Sequence, residues 1–186
     1  MSFTNTDESK KIPLGSGTLY AVEYTGTVGE DSTIEVESNI IGHIKGGASI
    51  EYKPSFYTAK SDDGKAQKTI ITGEDAKFKY GQITWNFGTL KKLTPTARVS
   101  EATGKRTTKI GGISNDDGKK YLLRFVHTDK VDGDMRITIV GVNTGGWSAA
   151  FAPDKEAMLS PEFSCEPIDS EGSLAILSED ILTSGT

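Results

Sequence analysis

The chain has 186 residues, of which 25% are charged and 35% are hydrophobic, and its formal net charge is −5. This length predicts one domain that is able to bury a substantial core. The acidic balance argues against tight general binding of nucleic acid, because neutralising phosphates requires an excess of basic residues. Cys165 is the single cysteine, so no intrachain disulfide framework is expected and a reducing compartment is the simpler assumption.

The N-terminal region predicts an arm followed by strands. Residues 1–17 are polar, lack the apolar core of a secretory signal and end in PLGSG, which is typical of a flexible arm. Thr18 to Tyr24 (TLYAVEY) favours a strand. TIEVE at 33–37 alternates apolar and acidic residues, which predicts a strand with one buried face and one solvated face carrying Glu35 and Glu37.

A long hairpin is predicted next. Ala48 to Lys60 and Ala66 to Thr72 are separated by the turn-forming sequence SDDGK. Pro54 has no backbone N–H to donate, so the first arm is expected to be an edge strand or to leave the sheet there. A polar tip of this kind favours projection from the body of the protein. The apolar residues expected on this projecting segment, 52–73, are Phe56, Tyr57, Ile70 and Ile71.

The middle of the chain predicts one further strand and two short helices. Ala76 to Phe87 (AKFKYGQITWNF) favours a strand. Thr89 to Leu93 favours one or two helical turns capped by Thr89 and limited by Pro95. Pro153 to Leu159 has proline at a favourable first position and acids in its first turn, so a helix is expected there.

A second hairpin, from Tyr121 to Thr128 and from Met135 to Val142, is predicted in the C-terminal half. Large apolar residues occupy both of its faces, so a second sheet, a helix or another subunit must cover each face. Trp147 to Phe151 predicts a third strand, and Glu162 to Pro167 and Ser173 to Leu177 are late strand candidates.

Strands separated by turns, with one or two short helices, predict a mainly β fold, namely an antiparallel β-sandwich or barrel with a long projecting hairpin. The expected division is an N-terminal arm over 1–17, a single β domain over 18–182 and a C-terminal tail over 183–186.

Charge is distributed unevenly along the chain. Residues 154–186 hold eight acidic residues and one lysine, whereas residues 88–110 hold six basic residues and one glutamate. Such runs usually form solvated surface. The sharper hypothesis is a pair of complementary patches that meet within or between subunits. Its basic members are Lys91, Lys92, Arg98, Lys105, Arg106 and Lys109.

Groups that support catalysis or cofactor binding are sparse, and we predict neither an enzyme nor a cofactor or metal site. His43 and His127 do not form a ligand motif, and His127 on an apolar strand favours a structural, hydrogen-bonded role. The acidic loop 129–134 lacks the spacing of a calcium loop and favours a turn. Trp85 and Trp147 would stack on sugars if they were exposed, but on strands with apolar neighbours core packing is favoured.

Four stretches, taken in order, resemble the tail tube (major tail) proteins of tailed bacteriophages and related prophage elements. They are KTIITGEDAKFKYGQITWNFGTLKKL (68–93), TTKIGG (107–112), KYLLRFVHTDKVDGDMRITIVGVNTGGWSAAFAPDKE (120–156) and EFSCEPIDSEGSLAILSED (162–180). No single motif is highly specific, and the ordered series carries the resemblance. No additional immunoglobulin-like domain follows residue 180, so decoration of host surfaces by this chain is not expected.

The resemblance implies a virion protein, made in the host bacterial cytoplasm, that assembles as hexameric rings stacked into a hollow tube. Its implied partners are copies of itself and the tail tip, tape-measure and tail terminator proteins. Double-stranded DNA would pass through the lumen without specific binding, and no membrane association is implied. The inner tube of a contractile machine would share this fold. The alternative from another class is a monomeric carbohydrate-binding β-sandwich.

In such a tube, the projecting hairpin is expected to connect successive rings. Glu35 and Glu37 are expected to face the lumen or another solvated surface, where like charge prevents DNA from sticking. The basic stretch 88–110 is expected to contact the acidic C-terminal segment, either within the subunit or across a subunit boundary.

Overall fold

β-Strands dominate the structure, a computed structural model that describes residues 13–181. The strands are β1 (Thr18–Glu23), β2 (Ile40–Gly42), β3 (Ile44–Lys60), β4 (Gln67–Gln82), β5 (Arg98–Ala102), β6 (Lys105–Lys109), β7 (Tyr121–His127), β8 (Met135–Asn143), β9 (Glu162–Glu166) and β10 (Ile176–Glu179). One short α-helix, α1 (Asp31–Ile34), and three 3₁₀-helices (Glu37–Asn39, Thr89–Leu93 and Ile113–Asn115) complete the regular elements of the described residues. The expectations for residues 1–12 and for the tail 183–186 lie outside the described residues.

One antiparallel sheet contains eight of the strands, and this confirms the predicted mainly β, antiparallel class. Its order is β2-β1-β7-β8-β9-β4-β3, and β10 pairs with β8 beside β9. The strands at the two ends of this order, β2 and β3, are separated in the chain by His43 alone. The sheet must therefore curl until its two ends approach each other. β5 and β6 form a separate two-stranded sheet.

The curled sheet encloses the main core. Phe78 of β4 lies directly opposite Phe163 of β9, and both side chains are fully buried. The Tyr80 ring packs against both of them, 6.0 Å from the Phe78 ring centre and 6.3 Å from that of Phe163. Gln82 at the end of β4 is also buried, and its side-chain amide donates to the carbonyl oxygen of Ile41 over 2.9 Å. This hydrogen bond joins β4 to β2 and holds the curl closed.

The hairpin β7–β8 is buried on both faces, as its apolar pattern predicts. Leu123 and Ile139 lie opposite each other and belong to the main core. Leu122 and Val140 point the other way into a second apolar cluster. Two segments of the same chain cover this second cluster, through Ile34 of α1 and through Ile168, which follows β9.

The strand predicted for TIEVE is wrong. Residues 31–34 form α1, and Glu37 begins a 3₁₀-helix. The side-chain amide of Asn39 donates to the carbonyl oxygens of Thr33 and Ile34, both over 3.0 Å, which satisfies backbone acceptors at the helix end. In this conformation Ile34 packs in the second cluster, whereas a strand would have continued past it.

Four further segments differ from expectation. β4 ends at Gln82 rather than at Phe87, because the Asn86 side chain accepts hydrogen bonds from the backbone N–H groups of Gly88 and Thr89 and starts a turn. The short helix predicted at Thr89–Leu93 is present as a 3₁₀-helix, but its N-cap residue is Gly88 rather than Thr89, and the Thr89 backbone N–H donates to the Asn86 side chain. The strand predicted over 147–151 and the helix predicted over 153–159 are both absent.

The hairpin β5–β6 was not predicted from the sequence. Its turn places Thr103 at φ 52° and Gly104 at φ 73°, the paired left-handed geometry of a tight hairpin turn. The strands on either side lack the apolar alternation that usually identifies a hairpin.

We expect Phe163→Ala to lower the free energy of unfolding by about 3–5 kcal/mol, because it removes a fully buried ring from the main core. Phe151→Ala is the matched control, since Phe151 is 79% exposed and its loss should change stability by less than about 0.5 kcal/mol. Urea unfolding followed by tryptophan fluorescence measures both. Equal effects would contradict this assignment of the core.

Candidate assembly surfaces

Among residues 13–181, the hairpin β3–β4 exposes more large apolar side chains than any other pair of neighbouring strands. β3 is the last strand of the sheet order, so Pro54 lies on an edge strand as predicted. From Ser55 onward every residue of β3 is exposed. The exposed fractions are 59% for Phe56, 59% for Tyr57, 47% for Ile70 and 54% for Ile71. We call the segment 52–73 the arm.

The register of the arm divides these four residues into two pairs. Phe56 lies opposite Ile71, and Tyr57 lies opposite Ile70. Residues directly opposite each other share a face of the sheet, and successive residues alternate between faces. Each face of the arm therefore presents one apolar pair to solvent. A bulge between Ser55 and Phe56 inserts Thr72 as an extra residue in β4, which sets this pairing.

Polar groups hold the tip of the arm. The Asp63 carboxylate accepts hydrogen bonds from the Ser61 hydroxyl and, over 3.0 Å, from the backbone N–H of Lys65. These bonds hold the pKa of Asp63 below its usual range, with the bond from Ser61 as the largest cause. The tip is thus an ordered turn stabilised by its own side chains.

Glu35 does not lie on a freely solvated face, and this corrects the prediction made for it. Its side chain is 18% exposed and accepts hydrogen bonds over 2.9 Å from Arg124 and over 2.9 Å from Arg136. Glu37 is exposed, so it remains a candidate for a solvated acidic surface. That either residue faces a lumen stays a prediction.

Arg124 and Arg136 connect three parts of the chain. The Arg124 side chain is 6% exposed and also pairs with Asp31 of α1. Arg136 on β8 bonds Asp180, the residue after β10, over 2.9 Å. Burial alone would lower the pKa of Arg136, but the carboxylates of Asp180 and Glu35 outweigh burial and hold its pKa above the usual range. We call these five residues the arginine cluster.

The six basic residues predicted as a patch are divided by the structure. Lys92 turns inward, donates to the Ala21 carbonyl oxygen over 2.7 Å, and has its pKa lowered by burial. Arg106 pairs with Glu101 on the inner face of β5–β6 and bonds Asn86 over 3.0 Å. Lys91 is half-buried. The register places the remaining three on the other face of β5–β6: Arg98, Lys105 and Lys109.

The acidic C-terminal segment forms its ion pairs elsewhere. Glu162 bonds Lys77 over 2.6 Å and lies 3.0 Å from the Lys79 amine, across the β4–β9 pairing. Its neighbours in the segment pair in the same way with bases outside 88–110: Glu156 with Lys45, Glu166 with Lys120 and Asp180 with Arg136. Among residues 13–181, no ion pair joins this segment to the basic stretch. Contact between the two stretches across a subunit boundary stays a prediction.

The tryptophans and His127 occupy structural positions. Trp85 and Trp147 are half-buried against the main core, and their indole N–H groups donate to Ala157 and Thr94 over 2.6 and 2.7 Å. His127 is 8% exposed, and its Nδ1 lies 2.8 Å from the Ser16 carbonyl oxygen. The acidic loop 129–134 forms a turn, in which the Asp129 carboxylate accepts hydrogen bonds from the backbone N–H groups of Val131 and Asp132.

Within the described part of the chain, no group of three or more His, Cys, Asp and Glu side chains is placed to hold a metal ion. Over the same residues, no helix is long and apolar enough to cross a bilayer. No protein-family model matches the chain, and a search of curated proteins also finds no match.

We expect Glu35→Gln to lower the free energy of unfolding by about 3 kcal/mol, because it leaves two largely buried guanidinium groups short of a carboxylate. Glu37→Gln, at an exposed position two residues away, should change stability by less than about 0.5 kcal/mol. Chemical denaturation at neutral pH compares the two. A neutral effect of Glu35→Gln would show that the arginine cluster does not hold α1 in place.

Acidification should weaken the β4–β9 contact. The bonds from Lys77 and then from Lys79 lower the pKa of Glu162. A carboxyl with a lowered folded-state pKa stabilises the fold above its unfolded pKa, roughly 4, and loses this contribution as pH falls through the folded-state pKa. Melting temperatures measured from pH 7 to pH 2.5 should therefore fall less steeply on the acid side for Glu162→Gln than for the wild type. Glu171→Gln, on a loop, is the matched control.

Proposed function

We propose that the protein is a structural subunit that assembles with copies of itself into hexameric rings, and that the rings stack into a hollow bacteriophage tail tube conducting DNA into the host. The single observation that carries this proposal is the arm, an extended hairpin with an apolar pair exposed on each of its two faces. The type of assembly, rings that stack into a tube, is inferred from the resemblance of the sequence to tail tube proteins. A virion location, and tail tip, tape-measure and terminator proteins as partners, belong to the same proposal.

The arm needs a partner for energetic reasons. A two-stranded hairpin is marginally stable in water on its own, and exposed aromatic and isoleucine side chains favour association. Burying four such side chains would contribute roughly 1.5–3 kcal/mol each before the cost of association. In a stacked tube the adjacent ring would cover them, and the contact would repeat around the ring.

The edges of the sheet support assembly in the same way. β3 is an edge strand of 17 residues, and an unprotected edge of this length is a template for pairing with another chain. Neighbouring subunits in a ring would cover such edges by placing their sheets side by side. Lysines at positions 53 and 60 and Pro54 discourage uncontrolled pairing along this edge, which favours a partner of defined geometry.

The alternative as a carbohydrate-binding module has less support. It requires an exposed, flat aromatic platform. Trp85 and Trp147 are half-buried with satisfied indole N–H groups, and the exposed Phe87 and Phe151 rings are inclined to Trp85 by 66° and 55°. Inclined rings of this kind do not offer one flat stacking surface.

Replacing Phe56 to Ile71 by a short Gly-Ser bridge should give a folded, soluble subunit that no longer polymerises. The main core contains no residue of the deleted segment, so folding should survive. Negative-stain microscopy and sedimentation of concentrated protein measure assembly, and circular dichroism measures folding.

The matched control replaces only the tip, Asp62 to Lys65, by a Gly-Ser turn of equal length, which leaves all four apolar residues in place. This variant should still form tubes. Long tubes from the Phe56–Ile71 deletion would mean that the connector lies elsewhere, and absence of any assembly in the wild-type protein would overturn the proposed function itself.

A further inference from the structure

A cavity of about 590 Å³ opens at the end of β3 that is remote from the arm tip. Gly46, Gly47 and Ala48 form one wall. The opposite wall is a sheet face built from two rows of directly opposed residues on β7, β8 and β10. The first row is Phe125, Ile137 and Leu177, and the second is His127, Met135 and Glu179.

This wall extends the main core outward, from the buried Phe125 to side chains of β10 that the described residues leave exposed. Phe125 belongs to the core and Ile137 packs against it, yet Leu177 in the same row is 66% exposed. Three apolar side chains in a continuous row across three strands normally have a covering layer. The volume lies within the range of 300–1,000 Å³ that is usual for ligand sites.

His127 gives the cavity a specific polar requirement. Its Nδ1 lies 2.8 Å from the Ser16 carbonyl oxygen, so Nδ1 carries the hydrogen and donates it. In the neutral ring Nε2 is then an acceptor, and it is buried without a hydrogen-bond partner among the described residues. A buried acceptor without a donor is costly. The occupant of the cavity should therefore combine an apolar body with a hydrogen-bond donor.

We propose that the cavity receives the arm of a second copy of this chain, with the Tyr57 ring over the Phe125–Ile137–Leu177 row and its hydroxyl donating to Nε2 of His127. This inference rests on the proposed function, and it names the surface that the arm would contact. Tyr57 is 59% exposed and combines an aromatic ring with an O–H donor.

Charge and spacing favour the same occupant. The arm holds four lysines and two aspartates, so it is basic overall. Lys68 is diagonal to Tyr57 on the same face, and diagonal neighbours are about 7–8 Å apart. On the cavity wall, Glu179 lies two strands from His127, a separation of about 10 Å. Lys68 can therefore approach Glu179, which has no ion-pair partner among residues 13–181, while Tyr57 meets His127.

The positions of the arm and the cavity define the arrangement of the copies. Both lie along β3, and Tyr57 is nine to eleven residues from the cavity wall at Gly46–Ala48, which corresponds to about 30–35 Å of strand. A second copy displaced along β3 by this distance brings its cavity to the first copy's Tyr57. Such a contact is head-to-tail and leaves a free arm at one end and a free cavity at the other, so it can continue without limit.

Disulfide trapping between two full-length variants tests the contact directly. Tyr57→Cys and Leu177→Cys are made separately with Cys165→Ser, mixed and oxidised, and mass spectrometry should identify a peptide linking positions 57 and 177. Ile113→Cys, at a position that is 92% exposed, is the matched control for Leu177→Cys and should give no defined link to position 57. Equal linking to both positions would overturn the inference.

A second experiment removes the Tyr57 hydroxyl, which is the proposed hydrogen-bond donor. Tyr57→Phe keeps the ring and should raise the critical concentration for assembly by up to about tenfold, since one hydrogen bond is lost. Tyr52→Phe is the control, because the Tyr52 hydroxyl bonds Glu74 of its own hairpin over 2.7 Å. Leu177→Glu should abolish stacking while leaving the subunit folded.

The outcomes separate this inference from the proposed function. If the arm deletion prevents stacking but the 57–177 link is absent and Tyr57→Phe is neutral, the arm is a connector and the cavity is not its acceptor. If instead Phe3→Cys links to Leu177→Cys within one chain, residues 1–12 fill the cavity and the inference is also overturned. If the wild type forms no stack at all, the proposed function fails first.

Discussion

Burial of the β7–β8 hairpin on both faces is the constraint on which the rest of the structure depends. One face requires the curled sheet, whose strands bring Phe78 and Phe163 onto Ile139. The other face carries Arg124 among its apolar residues, so its cover must supply carboxylates as well as hydrocarbon. The segment around α1 supplies both, with Ile34 for the apolar cluster and Glu35 for the arginines. Both the curl of the sheet and the position of α1 therefore cover this one hairpin.

The sequence predicted those elements whose signals are local. The hairpins β3–β4 and β7–β8 each combine strand-forming residues with a polar turn, and these signals lie within a few residues of each other. TIEVE was misassigned because its conformation depends on Arg124 and Arg136, about a hundred positions away in the chain. The segment 153–159 has the signals of a helix start, but Leu159 pairs with Gln82 and is buried in the core. Contacts with distant parts of the chain therefore determine the conformation of both segments.

The candidate site was predictable to a similar extent. Exposure of Phe56 and Ile71 follows from a long hairpin with a polar tip, but their common face depends on the bulge at Thr72, which has no clear sequence signal. The charge hypothesis failed within the subunit for a related reason. Strand pairing brings Lys77 and Lys79 to Glu162, and these contacts were invisible in the linear distribution of charge.

Folding and association use separate parts of this chain. The arm contributes no residue to either apolar cluster, so the core is complete while the arm remains exposed. A subunit built in this way can fold first and remain soluble at low concentration, because each arm carries a few apolar residues beside four lysines. Association then depends on many weak, identical contacts acting together. In the proposed tube, this separation would keep free subunits apart until a growing end offers several acceptors at once.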